Sequence, residues 1–273
     1  GRCSTARRVR TFASFGTFAS FRPIAAFRVI AAFRASAPTA DVRHARHLPA
    51  AARVGRVTDE HLGGPTVVSA GVSKTISDTT LLAPTDLRAE SGTCVVVRGR
   101  NGIGKTTLLR ILAGTLEPTT GTASIDGVRL DERDAATRRR VAALLGAPTA
   151  YRDLTLADHL TLIDATWGRD VAGCAQRVAD GLDALGIGDL AHRFPHELSS
   201  GQSQLFRLAM VFFRPGDLLV LDEPEQRLDT TKRALVGDLL IHRRQAGDTL
   251  LVACHDPVLT ERIADVVLDL PEP

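Results

Sequence analysis

Two hydrophobic rhythms alternate along residues 66–270. Short unbroken apolar runs bounded by glycine or acid read as buried strands: "CVVVRG" at 94–99, "TASIDG" at 122–127, "VAALLG" at 141–146, "DLLVLD" at 217–222 and "TLLVACH" at 249–255. Between them, apolar residues recur at three- and four-residue spacing. "KTTLLRILAG" at 105–114, closed by Gly114, predicts a helix. So do "LADHLTLIDATW" at 156–167, "VAGCAQRVADGLDALG" at 171–186, "LFRLAMVFF" at 205–213 and "KRALVGDLLIHRRQAG" at 232–247. Apolar strands interleaved with helices predict an α/β fold, a parallel sheet covered on both faces. The uninterrupted helical stretch at about 151–204 predicts a helical subdomain inserted into it.

Three polar clusters interrupt this pattern where a parallel sheet presents its ligand edge. "GRNGIGKTT" at 99–107 fits GxxxxGK[ST] directly after a predicted strand and before a helix. The stretch Gly99, Arg100, Asn101, Gly102, Ile103, Gly104, Lys105, Thr106 and Thr107 is therefore expected to hold nucleotide phosphates. Glycines let backbone N–H groups close around the phosphates, Lys105 supplies charge for the β and γ oxygens, and the Thr106 hydroxyl reaches Mg²⁺. "LLVLDEP" at 218–224 ends in two adjacent carboxylates, expected on opposite faces of the strand. Asp222 is the expected second metal contact and Glu223 the expected general base. His255 ends the last apolar strand and is the expected γ-phosphate sensor.

"LSSGQ" at 198–202 places hydroxyls, a glycine and a carboxamide just before the predicted helix at 205. Helix starts have unpartnered N–H groups, so an anion is expected there as well.

Charge changes the picture at one end only. Residues 1–65 hold eleven arginines and no lysine against Asp41, Asp59 and Glu60, a balance of +8. The remaining 208 residues carry −5, so no nucleic-acid partner is expected of the folded part. Residues 11–34 repeat every six positions with phenylalanine and arginine, and residues 1–65 are expected to be a disordered basic extension. No apolar stretch approaches the 18 residues of a membrane span, so the chain is not expected to cross a membrane by itself. The four cysteines stand singly. Cys94 and Cys254, in apolar runs, are expected to be buried hydrophobes rather than disulfide or zinc partners.

With "GRNGIGKTT", "LSSGQ", "LLVLDEP", "RLD" at 227–229 and "CHD" at 254–256 in this order, the chain resembles the ATP-binding cassette (ABC) family over about residues 66–270. The resemblance implies a P-loop NTPase core with an antiparallel β portion near its start. It implies ATP and Mg²⁺ as cofactors, ATP hydrolysis, and two ATPase subunits head to tail, most simply a homodimer. Ser199, Gly201 and Gln202 would hold the γ-phosphate bound by the second subunit, and Asp229 would cross to the opposite site. A separately encoded transmembrane subunit is the implied partner, with the chain on the inner face of the cell membrane. A soluble assembly or translation ATPase of the same family is the alternative. Departures from the family pattern are Ser200 in the signature, Ile76 where an aromatic residue stacks on adenine, and Gly146 where a glutamine reaches Mg²⁺ and senses the membrane partner. Glu225, where a small residue is usual, has no explanation in the sequence. Leu160, Ile163 and Trp167 are expected in the core or on a groove beside Gly146.

Overall fold

A computed structural model describes residues 64–146 and 150–271. The expected disordered extension lies outside them except for Gly64 and Pro65. These two are buried: Gly64 N–H donates to the Gly247 carbonyl at 2.6 Å, and the Pro65 carbonyl accepts from the Thr249 hydroxyl at 2.7 Å.

The chain first forms β1 (Val67–Ile76), β2 (Thr79–Ala89) and β3 (Cys94–Arg98), then α1 (Lys105–Leu112), β4 (Thr120–Ile125) and β5 (Val128–Arg129). Next come α2 (Ala135–Arg140) and β6 (Val141–Leu144). Three helices follow before the next strand: α3 (Leu156–Thr166), α4 (Cys174–Asp183) and, after two 3-10 turns, α5 (Ser200–Phe213). The chain returns as β7 (Leu218–Asp222), α6 (Thr230–Gln245), β8 (Thr249–Ala253), α7 (Pro257–Ile263) and β9 (Val266–Asp269).

These strands make two sheets. The parallel one has the order β6-β7-β8-β3-β9, and the antiparallel one β2-β1-β4-β5. The expected antiparallel portion near the start is present, and the "TASIDG" run joins it as β4 rather than the parallel sheet. Cys94, Val95, Val96 and Val97 of β3 are all buried, as are all five residues of β8, because strands flanked on both sides and covered on both faces contact no water. Val67, Leu82 and Ala89 of the antiparallel sheet share one core with Val95, Val97, Leu108, Leu109 and Leu112. That shared core clamps α1 between the two sheets.

Parallel register aligns the carboxyl ends. Val97 of β3 and Asp222 of β7 both pair with Ala253 of β8. The chain that leaves each of these three strands therefore emerges at one edge, which is where the ligand crevice of an open α/β sheet forms.

The inserted helices have their own fastening. Asp164 on α3 is fully buried and takes two hydrogen bonds from Arg177 of α4, at 3.0 and 2.6 Å, with Arg169 at 3.3 Å. Burial alone pushes its carboxyl up, but the hydrogen bonds from Arg177, Cys174 and Arg169 prevail and hold it below the usual carboxylate range. Thr155 caps α3 through a reciprocal box with Asp158.

Leu160 is core, while Ile163 is half-buried on a groove wall. Trp167 carries the Arg214 guanidinium 5.7 Å from its ring centre. The cysteines expected to be buried, Cys94 and Cys254, are so, and Cys174 joins them.

Candidate functional site

The loop at 99–107 folds around its own lysine. Lys105 is buried, and its ammonium donates to the carbonyls of Gly99 at 2.8 Å and Arg100 at 3.0 Å. The loop can make this curl because Gly104 sits at φ 111°, where a side chain is strained. A Cβ there would also come within 2.5 Å of the Leu81 carbonyl oxygen. Gly104 is also the N-cap of α1 and supplies no side-chain hydrogen bond to it. The N–H groups of the first turn of α1 thus lack a side-chain cap, next to a lysine, and that combination suits phosphate.

Thr106 follows Lys105 on α1, and its hydroxyl donates to Asp222 Oδ2 at 2.6 Å. A hydroxyl and one carboxylate converging beside a phosphate loop match the sparse protein contribution Mg²⁺ needs when phosphates and water complete its shell. Among the described residues no cluster of three or more His, Cys, Asp or Glu could hold a metal unaided. The two residues fit a nucleotide-borne ion rather than a free-standing metal centre.

Glu223 departs from the strand geometry expected of it. β7 ends at Asp222, and Glu223 has φ 49°, so the two carboxylates are set apart by a left-handed turn and not by strand alternation. Holding a non-glycine residue there costs about 1–3 kcal/mol, and such strain persists only where surroundings over-determine it. Here they do. Glu223 N–H donates to the Ala253 carbonyl at 2.9 Å, and the Gln204 side chain reaches the carbonyls of Glu223 at 3.2 Å and Pro224 at 3.1 Å. The Glu223 carboxylate in turn lies 3.1 Å from His255 Nε2 and accepts from the Gln226 carboxamide at 2.8 Å. Glu223 and His255, assigned separately from the sequence, stand in direct contact.

α5 begins earlier than expected, at Ser200 rather than 205, so Gly201 and Gln202 lie in its first turn. Ser199 Oγ accepts from Gln202 N–H at 3.3 Å, while Gln202 Oε1 accepts from Ser199 N–H at 2.9 Å. This reciprocal cap is written in the sequence as Ser-x-x-Gln. A Cβ on Gly201 would lie 3.0 Å from the Arg227 carbonyl oxygen, so the signature rests against the segment that follows Glu223. Asp229 caps α6 by accepting from Lys232 N–H at 2.9 Å, the bond that chiefly holds its carboxyl below the usual range.

Four contributors escaped the sequence reading. Gln204, Gln226 and Glu225 hold the Glu223–His255 pair, and Arg207 joins Gln204 to the Gly146 carbonyl. The one available signal was a chemical oddity at Glu225, an acid in an otherwise small-residue position. Gly146 carries no side chain to reach the metal contact, and Ile76, at the end of β1, is 56% exposed.

A profile described as ABC transporter matches residues 82–226. The chain is similar to the aliphatic sulfonates import ATP-binding protein SsuB of Pseudomonas putida, 34% identical over 209 residues, covering 76% of this chain and 73% of that protein. It is also similar to the phosphate import ATP-binding protein PstB 2 of Natronomonas pharaonis, 32% identical over 240 residues, covering 81% and 84%. Among solved structures, the ATP binding subunit of an ABC transporter superposes with a TM-score of 0.68 at 26% identity, over 75% of this chain and 85% of that one.

Proposed function

Because the chain belongs to the ABC transporter family, as an ATP-binding subunit and ATPase, we propose that two copies close head to tail over ATP and drive a separately encoded membrane-spanning partner. The observation that supports this reading is the split of the phosphate-binding groups. Lys105, Thr106, Asp222, Glu223 and His255 lie along one linked edge, whereas the second anion site, at Ser199–Gln202, is capped within its own chain.

The reaction is water attack on the γ-phosphate. Lys105 and the N–H groups at the start of α1 would carry the charge on the β and γ oxygens, and this electrostatic stabilisation is the main work in phosphoryl transfer. Glu223 would accept the proton of the attacking water. His255, touching the same carboxylate, would orient that water and contact the γ-phosphate. Thr106 and Asp222 would hold Mg²⁺, whose chemistry is to neutralise phosphate charge. In the structure both Glu223 oxygens have partners, His255 and Gln226. Each oxygen keeps a second lone pair with which to accept a hydrogen bond from a water.

For the membrane partner, the fitting surface is a cavity of about 340 Å³ walled by Leu144, Tyr151, Leu162, Ile163, Met210 and Arg214. Apolar walls with a half-exposed tyrosine and a basic rim suit an amphipathic cytoplasmic helix. No helix among the described residues is long and apolar enough to cross a membrane, so a membrane location would come through that partner. The relatives named above are import ATP-binding proteins. The test is hydrogen exchange after co-expression with a candidate membrane-spanning transporter subunit. Protection of residues 143–146 and 151–163 is expected, and unchanged exchange there in a confirmed complex would reject the groove.

A further inference from the structure

Glu225 is an acid that the phosphate chemistry does not use. It is only 6% exposed, its Oε1 accepts from His255 N–H at 2.8 Å, and its Oε2 is buried without a hydrogen-bond partner. Burying a carboxyl group with an unmatched oxygen works against folding. The nearby Cys254 thiol relieves it only weakly, because it is a poor donor that also faces the Asp256 carbonyl at 3.5 Å. Burial, and next the Glu225 charge, push that thiol up to about 12, so it remains neutral at physiological pH.

His255 lies two residues past the end of β8, beyond the reach of the strand ladder. Its N–H finds an acceptor in Glu225 instead. Three contacts then close a ring: Glu223 N–H to the Ala253 carbonyl, Glu225 carboxylate to His255 N–H, and His255 Nε2 to the Glu223 carboxylate. Pro224, between the two acids, fixes its own φ and limits how far their spacing can change. From the opposite side, Gln204 pins the carbonyls of Glu223 and Pro224.

We propose that Glu225 is a positioning residue for hydrolysis, which sets the His255 imidazole against the Glu223 carboxylate by holding the His255 backbone. The proposal rests on the roles given to Glu223 and His255 above. It differs from a packing role in sign, since the site retains a group that folding alone would discard.

The test uses the full-length chain and steady-state ATP hydrolysis, with thermal melting alongside. Glu225→Met keeps the bulk and removes the acceptor. It should lower kcat about tenfold through a displaced imidazole, leave KM for ATP within about twofold because the Lys105 loop is untouched, and leave the melting temperature equal or higher. Glu225→Gln keeps a carbonyl oxygen for His255 N–H and should restore kcat to within about threefold of wild type. Should the Met variant not fold, Glu225→Ala measured against Glu225→Gln makes the same comparison.

Wild-type kcat without the acceptor would overturn the proposal. So would a kcat loss accompanied by a lower melting temperature and not restored by Gln, since that is ordinary packing. Glu223→Gln is measured in parallel. If it turns over normally, the base assignment falls and the proposal with it. If it is inactive while Glu225→Met is fully active, only the positioning role falls.

Discussion

The two helix starts assigned to phosphate, at Lys105 and Ser200, are built on opposite plans. α1 starts from a left-handed glycine that offers no cap, and its first residue is a buried lysine folded back onto the loop carbonyls. α5 starts from a reciprocal Ser199–Gln202 cap and has no lysine in its first turn. The first start leaves donors open and concentrates charge, so it can bind phosphate within one chain. The second ties its side-chain oxygens into its own cap and offers only neutral donors. An anion there would meet the Ser199 hydroxyl, the Gln202 carboxamide N–H₂ and the first-turn N–H groups, all neutral donors, so under the proposed head-to-tail arrangement the charge that holds the phosphate comes from the other subunit. Under the proposed pairing, this difference gives one chain one grip complete in charge and a second, conditional one that is completed only against another subunit.

The largest effects should fall on the complete grip. Lys105→Ala removes a charged donor to the phosphates and should weaken ATP binding about 10²-fold, measured by fluorescent-nucleotide titration. Glu223→Gln should keep binding while turnover drops about 10²-fold or more. If Lys105→Ala bound ATP normally, the signature end would have to be the primary site and the comparison would reverse.

The next effect concerns the scaffold of the conditional grip. Asp164 ties α3 to α4 through Arg177 and Arg169, and removing one partner from a buried ion pair costs about 3–5 kcal/mol. Asp164→Ala should therefore lower the melting temperature by many degrees. The folded carboxyl is held below its unfolded value. Its contribution is thus complete above the unfolded carboxylate value of about 4 and disappears as pH falls through the lower folded value.

Arg207→Ala should act more mildly. It cuts the hydrogen bonds to the Gly146 carbonyl and to Gln204, whose carboxamide pins Glu223. A fall of about three- to tenfold in kcat is expected, with ATP affinity unchanged. An altered affinity with normal kcat would place Arg207 outside the hydrolytic half.

The smallest effect is a pH response at the groove. His159 is buried, accepts from Tyr151 N–H through Nε2 at 2.9 Å, and has Nδ1 at 2.7 Å from the Thr155 carbonyl. These partners fix the neutral ring with its proton on Nδ1. Burial pushes its pKa below the usual histidine value. The unfolded chain therefore binds the extra proton first, and stability falls as pH drops below about 6.5. Melting curves should show this slope in the wild type, and His159→Gln should flatten it.

Legibility followed the range of the contacts. The strand, loop and helix at 94–112 were readable because GxxxxGK[ST] states its chemistry within eight residues. Parallel register then carried Asp222 and His255 to the same edge, as alternating strands and helices implied. Contacts that cross the fold were not readable. Arg207 meets Gly146 over 61 positions and Glu225 meets His255 over 30. The early start of α5 was hidden because polar capping residues carry no hydrophobic period, although Ser199 and Gln202 spelled the cap. Strand alternation misplaced Glu223 because its left-handed backbone answers to Gln204 and Ala253, not to its neighbours in sequence.

The conditional grip itself is tested by the mass of the Glu223→Gln protein in light scattering. With ATP and Mg²⁺ the account predicts two chains, because hydrolysis no longer removes the bridging γ-phosphate, and with ADP it predicts one. Adding Gly201→Asp sets a carboxylate against that phosphate, a repulsion of several kcal/mol at intermediate dielectric. It should return the ATP sample to one chain with nucleotide still bound. The new Cβ would lie 3.0 Å from the Arg227 carbonyl oxygen, so an unchanged melting temperature must accompany the result. A single chain that binds ATP without ever pairing would contradict the account, as would loss of nucleotide from the folded Gly201→Asp monomer.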